Sequence, residues 1–279
     1  MSNPAAIVPD GDRIAKVLAR AGLCSRRDAE RWIAEGRVSV NGDVLTSPAR
    51  NVTAADSVVV DGKPLPTAEK RRLWRYHKPP GLVTTHRDEK GRTTVFETLP
   101  KDLPRVISVG RLDLTSEGLL LLTNDGALAR ELEHPSRGWS RRYRVRVHGQ
   151  VGDKALALLG QGLTVDGVHY GPIKAALDKS QGAANAWLTM TLTEGKNREI
   201  RRVLEHLGLQ VTRLIRVAYG PFQLGTLPRG EVEEVPGKVV DEQLGRVRGG
   251  PPKLKAKRPP QQTKRSNGIA KPTRQNSRR

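Results

Sequence analysis

The sequence predicts an α+β protein with a small N-terminal unit, a larger unit and a basic tail. Residues 12–65 carry two short amphipathic helical patterns followed by short strand patterns. After residue 72, strand-like segments alternate with short helices in a mixed order, which favours a mixed, largely antiparallel sheet. Beyond about residue 245 almost nothing apolar remains, so this segment cannot bury a core. The predicted boundaries are an N-terminal domain at 12–65, a linker at 66–72, a larger domain at 73–245 and a disordered tail at 246–279.

The charge of the chain points to a polyanionic partner. Its 279 residues include 49 Lys and Arg against 29 Asp and Glu, a net charge of +20. The stretch from Arg246 to Arg279 holds 12 basic residues and no acidic one, and the rest of the chain still carries +8. Nucleic acid and an anionic membrane surface are the two classes that fit.

The membrane alternative is the weaker one. No apolar run approaches the roughly 18 residues of a spanning helix, and the N-terminus lacks the pattern of a signal peptide. A single cysteine, Cys24, excludes an intramolecular disulfide and a cysteine-based zinc site. We therefore expect a cytoplasmic protein without a structural metal.

The first predicted unit begins with two helices. Ile14, Val17 and Leu18 recur at helical spacing in the first. Ser25 is a suitable N-cap for the second, which a glycine ends at position 36. Two strand patterns follow, each turning at an Asn-Gly or Asp-Gly pair.

Basic residues gather on the polar faces of these helices. Arg13, Lys16 and Arg20 are three and four residues apart and share one side. Arg26 and Arg27 begin the second helix, where free N–H groups already favour an anion. A solvated charged face explains such a pattern in most helices. The clustering of five cations favours an RNA-binding surface here.

Sequence motifs of several common chemistries are missing. No GxGxxG opens a helix, and no Gly-Lys pair has the glycine five residues earlier that a phosphate-binding loop requires. Neither a Ser-His-Asp pattern nor an HxE motif with paired cysteines is recognisable. We expect no nucleotide cofactor and no catalytic metal.

The stretch VGRLDLTSEGLLLLTNDG, residues 109–126, places the carboxylate of Asp113 in the most apolar part of the chain. Asp113 ends a strand-like run and precedes a loop, which is a common location for reactive groups. Such a residue can also simply cap its loop. Asp125, by contrast, precedes a helical pattern and is a capping residue. If Asp113 is buried, it needs a cationic partner.

The segment EGKNREIRRVLEHLG offers that cation. An apolar stripe at helical spacing runs from Ile200 to Leu207, and Arg201 lies roughly 110° from its centre, closer to the core than Arg198 or Arg202. Two interpretations stay open: an arginine covering the core rim, or an ion pair that keeps Asp113 charged at neutral pH.

The segment SRRYRVRVH alternates as a strand. Tyr143 and Val145 face one side, while Arg142 and Arg144 face the other, which suits phosphates or simply solvent. Tyr143 is either a core tyrosine or a ring that stacks on an extruded base.

Taken together, these segments resemble a known family. GRLDLTSEGLLLLTNDG, with YHKPPGLVTT before it and RRYRVRVHGQV and EGKNREIRRVLEHLG after it, is similar to the ribosomal RNA pseudouridine synthases of the RsuA/RluB type. RIAKVLARAGLCSRRDAERWIAEGRVSVNG resembles the S-four RNA-binding domain, named after a ribosomal protein. The resemblance covers about residues 12–240.

The resemblance implies roles for individual residues. Asp113 is the catalytic aspartate, Tyr143 stacks on the flipped uracil and helps to handle protons, and Arg201 pairs with the aspartate. The Lys-Pro-x-Gly turn from Lys78 to Gly81 supports the floor of the active site. The expected RNA-binding residues are Arg13, Lys16, Arg20, Arg26, Arg27, Arg111, Arg142, Arg144, Lys196 and Arg198.

The implied reaction converts a uridine of 23S rRNA to pseudouridine without a cofactor. The carboxylate attacks C1′ of the ribose or C6 of the base, or it removes the C2′ proton; the residues do not choose among these routes. The target lies in a hairpin or loop whose base is cheap to flip. Two other functions remain open: modification of another rRNA site, including 16S, and a non-catalytic rRNA-binding assembly factor. A monomer is expected.

Overall fold

A computed structural model of the chain describes residues 11–181 and 184–246. Within them the chain forms a small helical and stranded N-terminal unit and a larger unit built on a sheet, and the predicted α+β class is confirmed. The segment predicted as a disordered tail, 246–279, lies outside the described residues except for Arg246. No helix in the described part of the chain is long and apolar enough to cross a membrane.

The N-terminal unit contains helices α1 (Ile14–Arg20) and α2 (Arg26–Ala34). Ser25 caps α2 as predicted: its hydroxyl accepts a hydrogen bond from the backbone N–H of Asp28 at 3.1 Å, and the Asp28 carboxylate accepts one from the Ser25 N–H. Six short strands accompany the helices: β1 (Asp12–Arg13), β2 (Val38–Val40), β3 (Asp43–Val44), β4 (Asn51–Val52), β5 (Val58–Val60) and β6 (Lys63–Pro64). β1 pairs with β4, and the others form a four-stranded antiparallel sheet in the order β3-β2-β5-β6.

A nine-stranded sheet organises the larger unit. Its strands, together with the separate hairpin β11–β12, are β7 (Leu73–Lys78), β8 (Ile107–Val109), β9 (Glu117–Thr123), β10 (Arg141–His148), β11 (Leu163–Val165), β12 (Val168–Tyr170), β13 (Lys174–Gln181), β14 (Asn185–Leu192), β15 (Gln210–Tyr219), β16 (Phe222–Gln223) and β17 (Val232–Val235). The order is β13-β14-β10-β15-β9-β7-β17, with β16 beside β15 and β8 beside β9. Only the β15–β9 pair is parallel among these strands, which confirms the prediction of a mixed, largely antiparallel sheet.

Four helices pack on this sheet: α3 (Gly126–Glu133), α4 (Asp153–Gln161), α5 (Glu199–His206) and α6 (Gly237–Gln243). Helices α4 and α5 contribute to a core with the inner residues of β10 and β14, while α3 and α6 contribute to a second core with residues of β7 and β9. Asp125 caps α3 as predicted, because its carboxylate accepts hydrogen bonds from the N–H groups of Ala127 and Leu128.

The four leucines of β9 are buried on both faces of the sheet. Leu119 and Leu121 belong to the core under α3 and α6, and Leu120 and Leu122 belong to a core on the opposite face. A central strand covered on both sides explains why the run is continuously apolar rather than alternating.

The parallel contact between β9 and β15 is short and tight. It pairs Ile215 with Glu117 and Arg216 with Gly118. Gly118 has a φ of +103°, and a Cβ at this position would lie 2.3 Å from the carbonyl oxygen of Arg216. Only glycine therefore fits there. This contact brings the loop that precedes β9 next to β15 and β10.

Candidate active site

A cavity of about 610 Å³ opens where the loop before β9, strands β10 and β15, and the loop before α5 meet. Asp113 and Tyr143 both line it, although 30 residues separate them in the chain. Leu214 of β15 and Ile200 of α5 add apolar walls. The cavity therefore combines a carboxylate, an aromatic ring and a hydrophobic wall within one chain.

The carboxylate of Asp113 is half-buried and faces this cavity. Within residues 11–181 and 184–246 it makes no hydrogen bond and no ion pair. The backbone around it is well ordered by hydrogen bonds: the Asp113 carbonyl accepts from the Ser116 N–H at 3.0 Å, and the Leu114 carbonyl accepts from the Gly81 N–H at 2.7 Å. The loop is thus fixed while its acidic group stays free.

Lys78 holds this loop from beneath. The side chain is 0% exposed, and its ammonium donates hydrogen bonds of 2.9–3.4 Å to the backbone carbonyls of Pro79, Asp113, Leu114 and Ser116. Burial lowers the pKa of Lys78 to about 8, against the opposing attraction of Asp113 and Glu117. These contacts give a physical basis to the supporting role implied for the Lys-Pro-x-Gly turn.

Arg201 approaches the same loop from α5 but does not form the expected ion pair. Its guanidinium donates to the carbonyl oxygens of Thr115 and Val211, both at 3.4 Å. No nitrogen of Arg201 lies within 4.0 Å of an Asp113 carboxylate oxygen. Burial and the nearby Arg198 lower the pKa of Arg201, and the attraction of Asp113 opposes that change. The predicted direct pairing is therefore wrong, and Arg201 instead contacts the backbone of the Asp113 loop.

The start of α5 also differs from the prediction. Asn197 was the expected N-cap, but the cap position is Arg198, which has a left-handed backbone with a φ of +51° and makes no side-chain cap. The helix begins one residue later than expected, and Arg201 lines a separate cavity of about 430 Å³ beside Val211. The prediction that Arg201 is less solvated than Arg198 and Arg202 is confirmed, since it is half-buried and they are exposed.

Tyr143 is half-buried at the junction of two cores. It packs against the core that contains Val145 and against the core that contains Leu120. Its position on β10 places its ring in the wall of the cavity that Asp113 lines, on the same face as Val145. The ring is held by packing and one part of it remains accessible from the cavity.

Two arginines of the cavity were missed by the sequence analysis. Arg141 lines the cavity two residues before Tyr143, and its guanidinium donates to the Thr193 carbonyl at 2.5 Å. Arg216 is 4% exposed and donates to the Leu119 carbonyl at 2.7 Å. Both lie against the ring of Tyr219. Strand alternation puts Arg141 on the Tyr143 side, and this signal could have identified it.

The expected RNA-binding residues fall into three places. Arg111, Lys196 and Arg198 line the same cavity as Asp113. Lys16, Arg20 and Arg26 line a cavity of about 410 Å³ shared with Arg105 and Arg130. The other four are exposed elsewhere: Arg13, which donates to the Ala49 carbonyl, Arg27, Arg142, which donates to the Gln223 side chain, and Arg144, which pairs with Asp178.

Comparisons with known proteins identify the class. The sequence profile of the family described as RNA pseudouridylate synthase matches residues 72–206, and that of the S4 domain matches residues 12–64. The chain belongs to the RNA pseudouridine synthase family, and the resemblance found in the sequence is confirmed.

Its relatives include an uncharacterized RNA pseudouridine synthase of Rickettsia felis, 49% identical over 82% of this chain and 99% of that protein. Ribosomal large subunit pseudouridine synthase B of Pseudomonas aeruginosa is 40% identical over 95% of this chain and 72% of that protein. The protein of the same name in Yersinia pestis is 44% identical over 83% of this chain and 74% of that protein. A solved structure described as a pseudouridylate synthase has the same fold, with a TM-score of 0.58, 24% identity and coverage of 83% of this chain and 99% of that one.

Proposed function

We propose that this enzyme isomerises a specific uridine of 23S rRNA to pseudouridine, with Asp113 as the catalytic carboxylate. The relatives named ribosomal large subunit pseudouridine synthase B support the rRNA target. The observation that carries the proposal is the geometry of Asp113: a half-buried carboxylate without a partner among the described residues, beside Tyr143 in one cavity and on a loop held by Lys78.

The reaction requires an ionised acid next to a flipped base. The N1–C1′ bond of the uridine breaks, the uracil turns, a C5–C1′ bond forms and the C5 proton leaves to solvent. Asp113 provides the electron pair that starts this sequence, by attack on C1′ or C6 or by removal of the C2′ proton. A carboxylate that forms no ion pair keeps its electron pair available for that step.

Tyr143 and Arg201 assist in different ways. The Tyr143 ring offers a face on which the flipped uracil stacks, and its hydroxyl group can relay a proton. Arg201 acts as a positioning residue, because its guanidinium binds the Thr115 carbonyl in the Asp113 loop.

The basic residues bind the RNA around this cavity. Arg111, Lys196 and Arg198 surround the target nucleotide, and the domain at 12–65 binds the adjoining stem through its basic helices. The linker at 66–72 connects this domain to the catalytic domain at 73–245, and the tail at 246–279 adds phosphate contacts that carry little sequence information. One chain supplies every group that the proposed chemistry uses, which supports a monomeric enzyme. Its proposed location is the cytoplasm.

Release of tritium from rRNA labelled with 5-³H-uridine tests this function. Asp113→Asn removes the reactive charge, and Asp125→Asn is the matched control because that residue caps α3. We expect turnover to vanish only in Asp113→Asn. Mapping the product by carbodiimide-induced reverse-transcription stops tests the target: a modified site in 16S rRNA contradicts the 23S assignment, and turnover by Asp113→Asn contradicts the catalytic one.

A further inference from the structure

The loop between β14 and α5, residues 193–198, forms one lip of the catalytic cavity. Lys196 and Arg198 line the cavity from this loop. Arg198 has a φ of +51°, a left-handed conformation that is uncommon for a residue with a side chain. A loop in such a conformation needs contacts that hold it.

Glu199 supplies one of these contacts. It is the first residue of α5, lines the cavity and is 3% exposed. Its Oε2 accepts a hydrogen bond from the backbone N–H of Lys196 at 2.9 Å, which closes the turn. Its Oε1 is buried and receives no hydrogen bond from any N–H or O–H donor among the described residues. A buried carboxylate oxygen that accepts no hydrogen bond is costly, unless it carries a proton and donates it to an acceptor.

Glu194 stands at the other end of the loop. Its carboxylate accepts a hydrogen bond from the Gly171 N–H at 2.6 Å and contacts the ammonium of Lys196. Lys196 contacts both acids, because its ammonium binds Glu194 and its backbone N–H donates to Glu199, and a hydrogen bond between the two carboxyl groups contributes to the pKa of each. Two carboxyl groups can hydrogen-bond only if one of them is protonated.

We propose that Glu199 is a positioning residue that acts as a neutral acid: it donates its proton to Glu194, and this carboxyl pair fixes the loop 193–198 at the mouth of the catalytic cavity. The inference rests on the proposed function, because the effect on turnover requires that cavity to be the active site. Glu199 itself contacts the loop and not the reacting atoms.

The electrostatics of the pair assign the proton to Glu199. Burial, followed by the hydrogen bond with Glu194, raises the pKa of Glu199 to about 7. Burial acts in the same direction on Glu194, but hydrogen bonds from Lys196 and Gly171 outweigh it and lower the pKa of Glu194. The other groups around the pair are the ring of Tyr170, 5.8 Å from the Lys196 ammonium, and the guanidinium of Arg141 beside Gly195.

The contribution of Glu199 to the stability of the folded protein depends on pH. Because the folded protein holds the Glu199 proton more tightly than the unfolded chain, the stabilisation from this group is fully present below the ordinary glutamate pKa and is lost as the pH rises through about 7. Above that pH two negative charges face each other across the loop, and the lip of the cavity loosens.

Three variants test the proposal in the full-length enzyme. Glu199→Gln keeps a donor toward Glu194 and an acceptor for the Lys196 N–H, Glu199→Ala removes both, and Glu205→Gln neutralises an exposed acid on the same helix. With 5-³H-uridine rRNA we expect Glu199→Ala to lower kcat by at least about tenfold and Glu199→Gln to stay within about twofold of wild type. We also expect the wild-type kcat to decline above about pH 7, where Glu199 loses its proton. This decline should persist in Glu205→Gln and disappear in Glu199→Gln.

A Glu199→Gln variant as impaired as Glu199→Ala, or one that keeps the wild-type decline with pH, overturns the proposal. Urea unfolding at about pH 5 and pH 8 provides a readout that does not depend on activity. Wild type should lose stability relative to Glu199→Gln as the pH rises, and an unchanged difference rejects the shared proton. If wild type releases no tritium from any rRNA, the proposed function fails while this unfolding test still decides the protonation of Glu199.

Discussion

Two acidic residues that lie four positions apart, Asp113 and Glu117, differ in their burial and in their cationic partners. Glu117, at the start of β9, is 3% exposed and binds the guanidinium groups of Arg213 at 2.6 Å and Arg229 at 2.8 Å. Asp113, in the loop before β9, is half-buried and binds no cation among the described residues.

In our proposal, this difference separates a carboxylate with a structural role from a carboxylate that performs the reaction. A fully buried carboxylate must be compensated, and two arginines do this for Glu117. A carboxylate paired in that way would be a poor nucleophile or base. At Asp113 the backbone is bound instead: Lys78 donates hydrogen bonds to the carbonyls of the loop, so the loop is fixed while the carboxylate has no partner among the described residues.

Among the residues that support the Asp113 loop, the largest expected effect comes from Lys78→Met. Removing the ammonium leaves backbone carbonyls of the Asp113 loop without their donor, and a displacement of the carboxylate by about 1 Å costs about 100-fold in turnover. The free energy of unfolding should fall by about 1–3 kcal/mol. Tritium release and urea unfolding measure the two effects, with the exposed Lys90→Met as control. Full activity in Lys78→Met would show that the loop does not depend on this buried lysine.

Arg201→Met is expected to have the next largest effect. The variant loses the contact with the Thr115 carbonyl and the positive charge near Asp113, so kcat should fall by about tenfold or more while RNA affinity changes little. Arg202→Met, at the adjacent exposed position of the same helix, is the matched control. Equal losses in the two variants would remove the special role of Arg201.

The smallest expected effect on turnover comes from the C-terminal segment, which is the part of the chain farthest in sequence from Asp113 and Glu117. Deleting residues 247–279 removes 11 basic residues but leaves Arg246 in contact with Glu131. The affinity for rRNA should fall and depend less steeply on salt, while kcat at saturating RNA stays within about twofold. Binding measured across a salt series tests this. An unchanged salt dependence would mean that the tail makes no phosphate contacts.

Much of the architecture follows from local patterns in the sequence. The caps Ser25 and Asp125, the buried strand of leucines and the inward face of Tyr143 depend on neighbours within a few residues, and each was predicted correctly. The juxtaposition of Asp113 and Tyr143 was suggested only by resemblance, because the parallel β9–β15 contact that creates it joins distant segments.

The predicted ion pair failed for a related reason. A helical projection gives the direction of Arg201 around α5 but not the atoms of a distant loop that it reaches, and Arg201 binds the Thr115 carbonyl. The ion pairs of Glu117 could not be predicted from the sequence either, because Arg213 and Arg229 lie about 100 residues away in the chain. Local patterns contain no information on which distant cation reaches a given acid.

The most direct test compares variants of Asp113 and Glu117. Single-turnover tritium release and urea unfolding are measured for Asp113→Asn and Glu117→Gln. Our account predicts that Asp113→Asn loses at least about 1,000-fold in turnover with its stability unchanged. It also predicts that Glu117→Gln loses about 1–3 kcal/mol of stability while most of its turnover remains. Substantial turnover by a folded Asp113→Asn variant would contradict the central claim that this unpaired carboxylate performs the reaction.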